Sequence, residues 1–167
     1  MAIDAENVLV MELTGGTVTI EMRPDLAPNH VARIRELVRQ GFYDGIVFHR
    51  VIAGFMAQTG DPTGTGSGGS GQHLKAEFSQ APHNRGTLSM ARTNDPDSAD
   101  SQFFICLDRA DYLDGQYTVW GQVVSGMEAV DKIKKGSQSN NGAVTKPDSI
   151  LSLRVAADIP DWQPPTN

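Results

Sequence analysis

A chain of 167 residues and 18.0 kDa fits a single domain large enough to bury a core without disulfides or a structural metal. Its 39% hydrophobic and 20% charged residues exclude wholesale disorder, and 14 basic against 20 acidic side chains, net −6, set nucleic acid and anionic membranes aside as partners. With 17 Gly and 9 Pro, an all-helical bundle is excluded as well. At the N-terminus, Asp4 and Glu6 stand where an export signal would carry basic residues. The longest apolar run, Val51 to Ala57, is far short of the roughly 20 residues of a spanning helix. Cys106 is the only cysteine and sits in Phe103-Phe-Ile-Cys-Leu107, so it reads as a buried thiol. A cytoplasmic protein is the expectation.

In chain order, residues 8–22 read as a hairpin with Gly15-Gly16 as its turn, because Val18, Ile20 and Met22 alternate with polar neighbours. Pro28 opens an amphipathic helix with Val31, Ile34, Leu37 and Val38 on one face and Gly41 as its stop. Residues 46–55 read as one strand, followed by a stretch from Gly60 to Gly71 in which six of twelve positions are glycine, expected as a flexible surface loop. Gly86 to Ala91, Ser101 to Leu107 and Thr118 to Val124 are further strands. A second helix is expected from Ser125, where Ser125 and Glu128 have capping-box spacing, to Gly136. Asn141-Gly142 marks a turn. Leu151, Leu153 and Val155 share one face of a last strand, and a Pro-containing tail follows. The expected organisation is one domain over 1–157 and a tail over 158–167. Many strands, two helices and no regular alternation point to a mainly β, antiparallel, closed or nearly closed barrel.

The glycine stretch contains G-x-G-x-x-G as Gly64, Gly66, Gly69. A dinucleotide cradle needs a strand before it and a helix after it. Here Asp61-Pro62 precedes and a short polar stretch ending at Pro82 follows, so no cofactor is expected. The four histidines lack metal-ligand spacing, and no metal is expected either.

Another set of segments remains: Phe48-His-Arg-Val-Ile52, Gly54-Phe-Met-Ala-Gln-Thr-Gly-Asp61, Met90-Ala-Arg92, Ser101-Gln-Phe-Phe-Ile105 and Tyr112-Leu-Asp-Gly115. In their order and approximate spacing they resemble the cyclophilins, the peptidyl-prolyl cis-trans isomerases, from about Val8 to Val155, and the Met90-Ala-Arg-Thr93 segment resembles the bacterial branch. The resemblance implies an eight-stranded antiparallel β-barrel capped by two α-helices. It implies catalysis by Arg50, with Gln58 beside it on the same strand, and a proline pocket of Phe55, Met56, Phe104 and Leu113. Ala91, Arg92 and Gln102 would meet the substrate, and Tyr112 and Tyr117 would stand on the rim. Arg92, Tyr112 and Tyr117 replace Asn, Trp and His of the animal-type pattern, which implies reduced cyclosporin affinity. The implied partners are proline-containing peptides and unfolded or folding proteins, and the implied state is a monomer.

Read from residues alone, Phe55, Met56, Phe104 and Leu113 would be core, whereas an arginine in an apolar strand is costly to bury unpaired. His49 is expected to be structural and to face away from Arg50 by strand alternation. The alternative to an isomerase is a proline-peptide binding or chaperone module with incidental catalysis.

Overall fold

Period-two patterning carries through to the computed structural model, which describes residues 4–165. Eight strands form one antiparallel sheet: β1 (Val8–Leu13), β2 (Gly16–Met22), β3 (Arg50–Ile52), β4 (Met56–Thr59), β5 (Thr87–Met90), β6 (Phe103–Cys106), β7 (Val119–Ser125) and β8 (Ser152–Val155), in the order β3-β4-β6-β5-β7-β2-β1-β8. The closed barrel expected from the sequence is a slight overstatement. Strand ladders stop at β3 and β8, and the sheet curls into a half-barrel; the segment before β3 meets the segment before β8 through the isolated bridge of Val47 with Ser149 and the bonds Phe48 N to Asp148 O and Ile150 N to Ile46 O, both 2.8 Å.

Two helices pack against the sheet. In α1 (Pro28–Arg39), Pro28 stands in the first turn and the expected face, Val31, Ile34, Leu37 and Val38, is buried. Ala27 offers no side-chain cap, so the carboxylate of Glu77 accepts from Asn29 N (3.2 Å) and His30 N (2.8 Å), supplying the acceptors and the negative charge that a helix start favours. The second helix, α2, is shorter than expected, Met127–Asp131. Ser125 belongs to β7 and makes no cap, because Gly126 turns the chain at φ 89°. A Cβ on Gly126 would lie 2.1 Å from Thr17 O, so a capping-box geometry cannot be reached there. Gly136 lies beyond the helix and donates its N–H to Val51 O at 2.8 Å.

Three local expectations shift. The first turn is Thr14-Gly15, since Leu13 pairs with Gly16 across β1 and β2. The run 46–55 is not one strand: Gly54, at φ 74°, turns it, and β3 pairs with β4 as a hairpin. Leu151 is 57% exposed, because the chain bends before β8 begins and only Leu153 and Val155 reach the core.

The interior holds Leu9, Met11, Ile20, Ile34, Phe48, Phe103 and Trp120 in one continuous cluster, with Phe103 edge-on to Trp120 at 5.3 Å and to Tyr43 at 5.5 Å. At the far edge, Ile159 and Trp162 pack over Val8, Val10 and Ala156.

Candidate functional site

Antiparallel pairing puts directly opposed residues on one face, and the registers Arg50 to Gln58, Gln58 to Phe104 and Phe104 to Ser89 set these four in a row across β3, β4, β6 and β5. Two residues along, Ile52, Met56 and Cys106 make a second row. Alternation then divides Phe103-Phe-Ile-Cys106: Phe103 and Ile105 enter the main core, while Phe104 and Cys106 join Met56, Ala110 and Leu113 in a separate apolar cluster flanked by Phe55, Ala91 and Tyr117. The second cluster floors a groove of about 540 Å³.

Arg50 stands at its edge. Its Nε donates to Asn141 O (2.9 Å), Nη2 to Asn141 Oδ1 (3.1 Å) and Nη1 to Gln58 Oε1 (3.2 Å). With Gln58 Oε1 turned to the guanidinium, Gln58 Nε2 donates to Gln102 Oε1 (2.9 Å), and Gln102 Nε2 donates to Gly66 O and Gly68 O, both at 2.9 Å. Every amide in this chain therefore has one allowed orientation.

The glycine stretch it reaches is pinned, not loose. Asp61, fully buried, accepts from Thr63 N (2.8 Å), Thr65 N (3.1 Å), Gly66 N (2.6 Å) and Gly68 N (3.0 Å). Burial pushes the Asp61 carboxyl up, but the donors of Gly68, Thr63 and Gly66 together outweigh it and hold the group well below the usual carboxylate range. A Cβ on Gly68 would sit 2.2 Å from Asp61 Oδ1, so the glycine there is a requirement of close approach.

Of the residues expected in the site, Arg50, Phe55, Met56, Gln58, Ala91, Arg92, Phe104, Leu113 and Tyr117 all line the groove, and Gln102 lines the adjoining one. Tyr112 stands apart, 62% exposed and 5.7 Å from the Phe55 ring centroid. Gln58 is on β4, opposite Arg50, rather than on the same strand. His49 does not face away: it precedes β3, where strand alternation does not apply, and lines the groove with Arg50. Burial lowers its pKa, and the Arg50 cation adds to this against the opposing pull of Asp61.

Residues outside the expected set complete the walls. Asn140 and Asn141 close one side; the Asn141-Gly142 signal showed a turn but not its neighbour. Behind the floor, His83 is fully buried, stacks on Phe104 at 6.1 Å and binds Ser89 Oγ (2.9 Å) and Asp114 Oδ1 (3.0 Å). Cys106 is buried in the cluster with Met56 and Phe104, its thiol pushed up to about 12 by desolvation, which makes it a packing residue and a poor nucleophile.

The arrangement is a rigid cation at the lip of an apolar seat. In sequence and fold the chain is similar to known proteins. The family model of cyclophilin-type peptidyl-prolyl cis-trans isomerases matches residues 8–155. A probable peptidyl-prolyl cis-trans isomerase of Brucella suis is 54% identical over 169 residues, spanning 94% of this chain and 86% of that one. A crystal structure of a cyclophilin from Hirschia baltica superposes with TM-score 0.86 at 31% identity, covering 96% of this chain and 78% of that one. A Cryptosporidium parvum cyclophilin-type isomerase crystallised in the presence of the dipeptide Ala-Pro gives TM-score 0.81 at 27% identity, covering 89% and 98%.

Proposed function

Since the chain belongs to the cyclophilin-type peptidyl-prolyl cis-trans isomerases, enzymes that rotate X-Pro bonds, we propose that its chemistry runs in the groove over Met56, Phe104 and Leu113 with Arg50 and Gln58 as the catalytic pair. One observation carries this: a permanently charged guanidinium is held by Asn141 and Gln58 at the edge of an apolar seat.

Rotation of the amide must cross a barrier of roughly 18 to 20 kcal/mol, because twisting breaks resonance. In the planar ground state the prolyl nitrogen has no lone pair to offer; in the twisted state it becomes pyramidal and regains one. A fixed Arg50 N–H then gains a partner it lacked before, which is differential binding of the transition state. One charge-assisted bond contributes about 1.5 to 3 kcal/mol. A turnover of about 10 to 10³ s⁻¹ against an uncatalysed exchange of tens to hundreds of seconds requires more, roughly 4 to 7 kcal/mol. The rest falls to the seat that holds the ring, with Phe55 and Tyr117 beside it, and to Gln58 at the rotating carbonyl. Ala91, Arg92 and Gln102 guide the flanking peptide, and Tyr112 extends the rim past Phe55.

Proline-containing segments of unfolded or folding chains are the substrates of this reading. The enzyme acts as a cytoplasmic monomer, and residues 1–157 form its catalytic domain with 158–167 as a tail. Cyclosporin binds weakly, since a Tyr112 phenol does not reproduce an indole N–H donor. Exchange spectroscopy on an Ala-Pro-Phe peptide tests the scheme. Arg50→Ala is expected to lower kcat/KM by about 10- to 150-fold, and unchanged exchange would overturn the role of Arg50. Inhibition by cyclosporin in the same assay reads the altered rim. A binding module with incidental catalysis, the reading motivated by the altered rim at Arg92, Tyr112 and Tyr117, predicts slow exchange in a peptide that nevertheless binds.

A further inference from the structure

Two guanidinium groups, Arg50 and Arg92, line the main groove and, among the described residues, no carboxylate does, in a chain of net charge −6. The adjoining groove, about 420 Å³, shares Gln58, Gly66, Ser67, Ala91 and Arg92 with it. Asp100 is the acid that lines this second groove, and its oxygens already accept from Ser70 N (2.8 Å), Ser70 Oγ (2.5 Å) and Gly71 N (3.0 Å). Arg92 therefore stands at the junction of two grooves, the first lined by two guanidinium groups and no described carboxylate, the second by Asp100, whose oxygens are turned to Ser70 and Gly71.

The guanidinium of Arg92 is also preorganised. Its Nε and Nη2 donate to Gln116 O at 3.1 and 2.8 Å, and its Nη1 donates to Thr93 O at 2.8 Å. The Tyr117 ring lies beneath it, with the centroid 4.7 Å away. All three bonds end on carbonyls, so the charge is not cancelled. Two of the five guanidinium N–H donors stay open to a ligand.

We propose that Arg92 makes this enzyme selective for proline segments that carry a carboxylate side chain within two residues of the proline, on the flank that crosses Ala91 into the second groove. The inference rests on the seating of the proline over Met56 and Phe104. From that seat an extended chain advances about 3.3 Å per residue, which brings the next one or two side chains to the junction. A fixed planar fork suits a carboxylate, and the same charge disfavours lysine at that place.

The test is exchange spectroscopy on Ala-Xaa-Pro-Phe, Xaa-Ala-Pro-Phe and Ala-Pro-Xaa-Phe peptides with Glu, Gln or Lys at Xaa. At one flank the Glu-to-Gln ratio of kcat/KM is expected to be about 3 to 10 at low salt, the range between an exposed ion pair and a charge-assisted bond. The difference lies in KM, Lys falls below Gln, and the ratio approaches one as salt is raised to about 0.5 M. Arg92→Gln abolishes the ratio whatever its absolute rate, and Arg92→Lys keeps part of it. A wild-type ratio of one at both flanks overturns the inference while leaving isomerisation in place. A ratio that survives in Arg92→Gln assigns the charge to Arg50 and overturns the role of Arg92. Absence of catalysed exchange in every peptide overturns the groove reading itself.

Discussion

Arg50 is aimed by a residue that contributes nothing to the apolar floor. Asn141 accepts from Nε at its carbonyl and from Nη2 at its side-chain oxygen, 2.9 and 3.1 Å, and does so from a left-handed backbone at φ 55°, a conformation that asparagine tolerates better than most residues. Asn141→Ala would confound loss of the side chain with backbone strain. Asn141→Gly keeps the left-handed turn and the carbonyl, and removes only Oδ1. We expect kcat to fall about 3- to 10-fold, on the order of one ordinary hydrogen bond, with KM and thermal stability nearly unchanged. A kcat equal to wild type would show that Gln58 and the Asn141 carbonyl suffice to hold the guanidinium.

The glycine segment between β4 and β5 is held by two carboxylates, Asp61 over residues 63–68 and Asp100 at Ser70 and Gly71, which makes its order a question of hydrogen bonding. Asp61→Asn exchanges an acceptor of four backbone N–H groups for an amide whose nitrogen must face some of them. Each buried donor left without a partner costs about 1 to 3 kcal/mol. Faster amide exchange at Gly66 and Gly68 is expected, together with a weaker wall beside Gln102 and a raised KM. Unchanged protection at those two amides would refute the role given to Asp61. Asp61 also shows where reading the sequence stopped: six glycines signalled a loop, yet the residue that pins them acts at spacings no strand or helix period contains. Phe104 and Met56 were legible as site residues only through the family resemblance, since residue type alone makes them core; alternation separates them from Phe103 and Ala57 only once the registers of β6 and β4 are known. Gln58 was legible as a site residue but assigned to the wrong strand, because Gly54 turns the chain inside an otherwise apolar run. Asn141 comes to the groove, and His83 to the back of its floor, only through tertiary packing. For α2, capping-box spacing lost to the backbone of Gly126, whose approach to Thr17 belongs to β2 and not to the local sequence.

Catalysis and stability should part company with pH across the molecule as a whole. Rotation about an X-Pro bond exchanges no proton, and His49, the histidine lining the main groove, is driven toward its neutral form first by burial. Turnover is therefore expected to stay flat between about pH 6 and 8, the range in which an ordinary histidine titrates. Stability behaves differently. Desolvation lowers the pKa of His30, His49 and His83 from the ordinary value of 6.5, and in His30 and His83 it outweighs the opposing pull of Glu77 and Asp114. Below about 6.5 the unfolded chain takes up protons that these folded sites resist. Their contribution is thus complete above the unfolded pKa and is lost as pH falls toward the lowered folded values. The carboxyl of Asp114, kept low first by its bond to Arg109, stays ionised throughout that range, so its pull on His83 does not fade there. Thermal melts should show Tm falling steadily from pH 7 to 5 while exchange rates measured at 25 °C do not move between pH 8 and 6. A Tm independent of pH over that span would mean that the buried imidazoles accept protons as readily as exposed ones. A turnover that titrates near 6.5 would bring His49 into the chemistry.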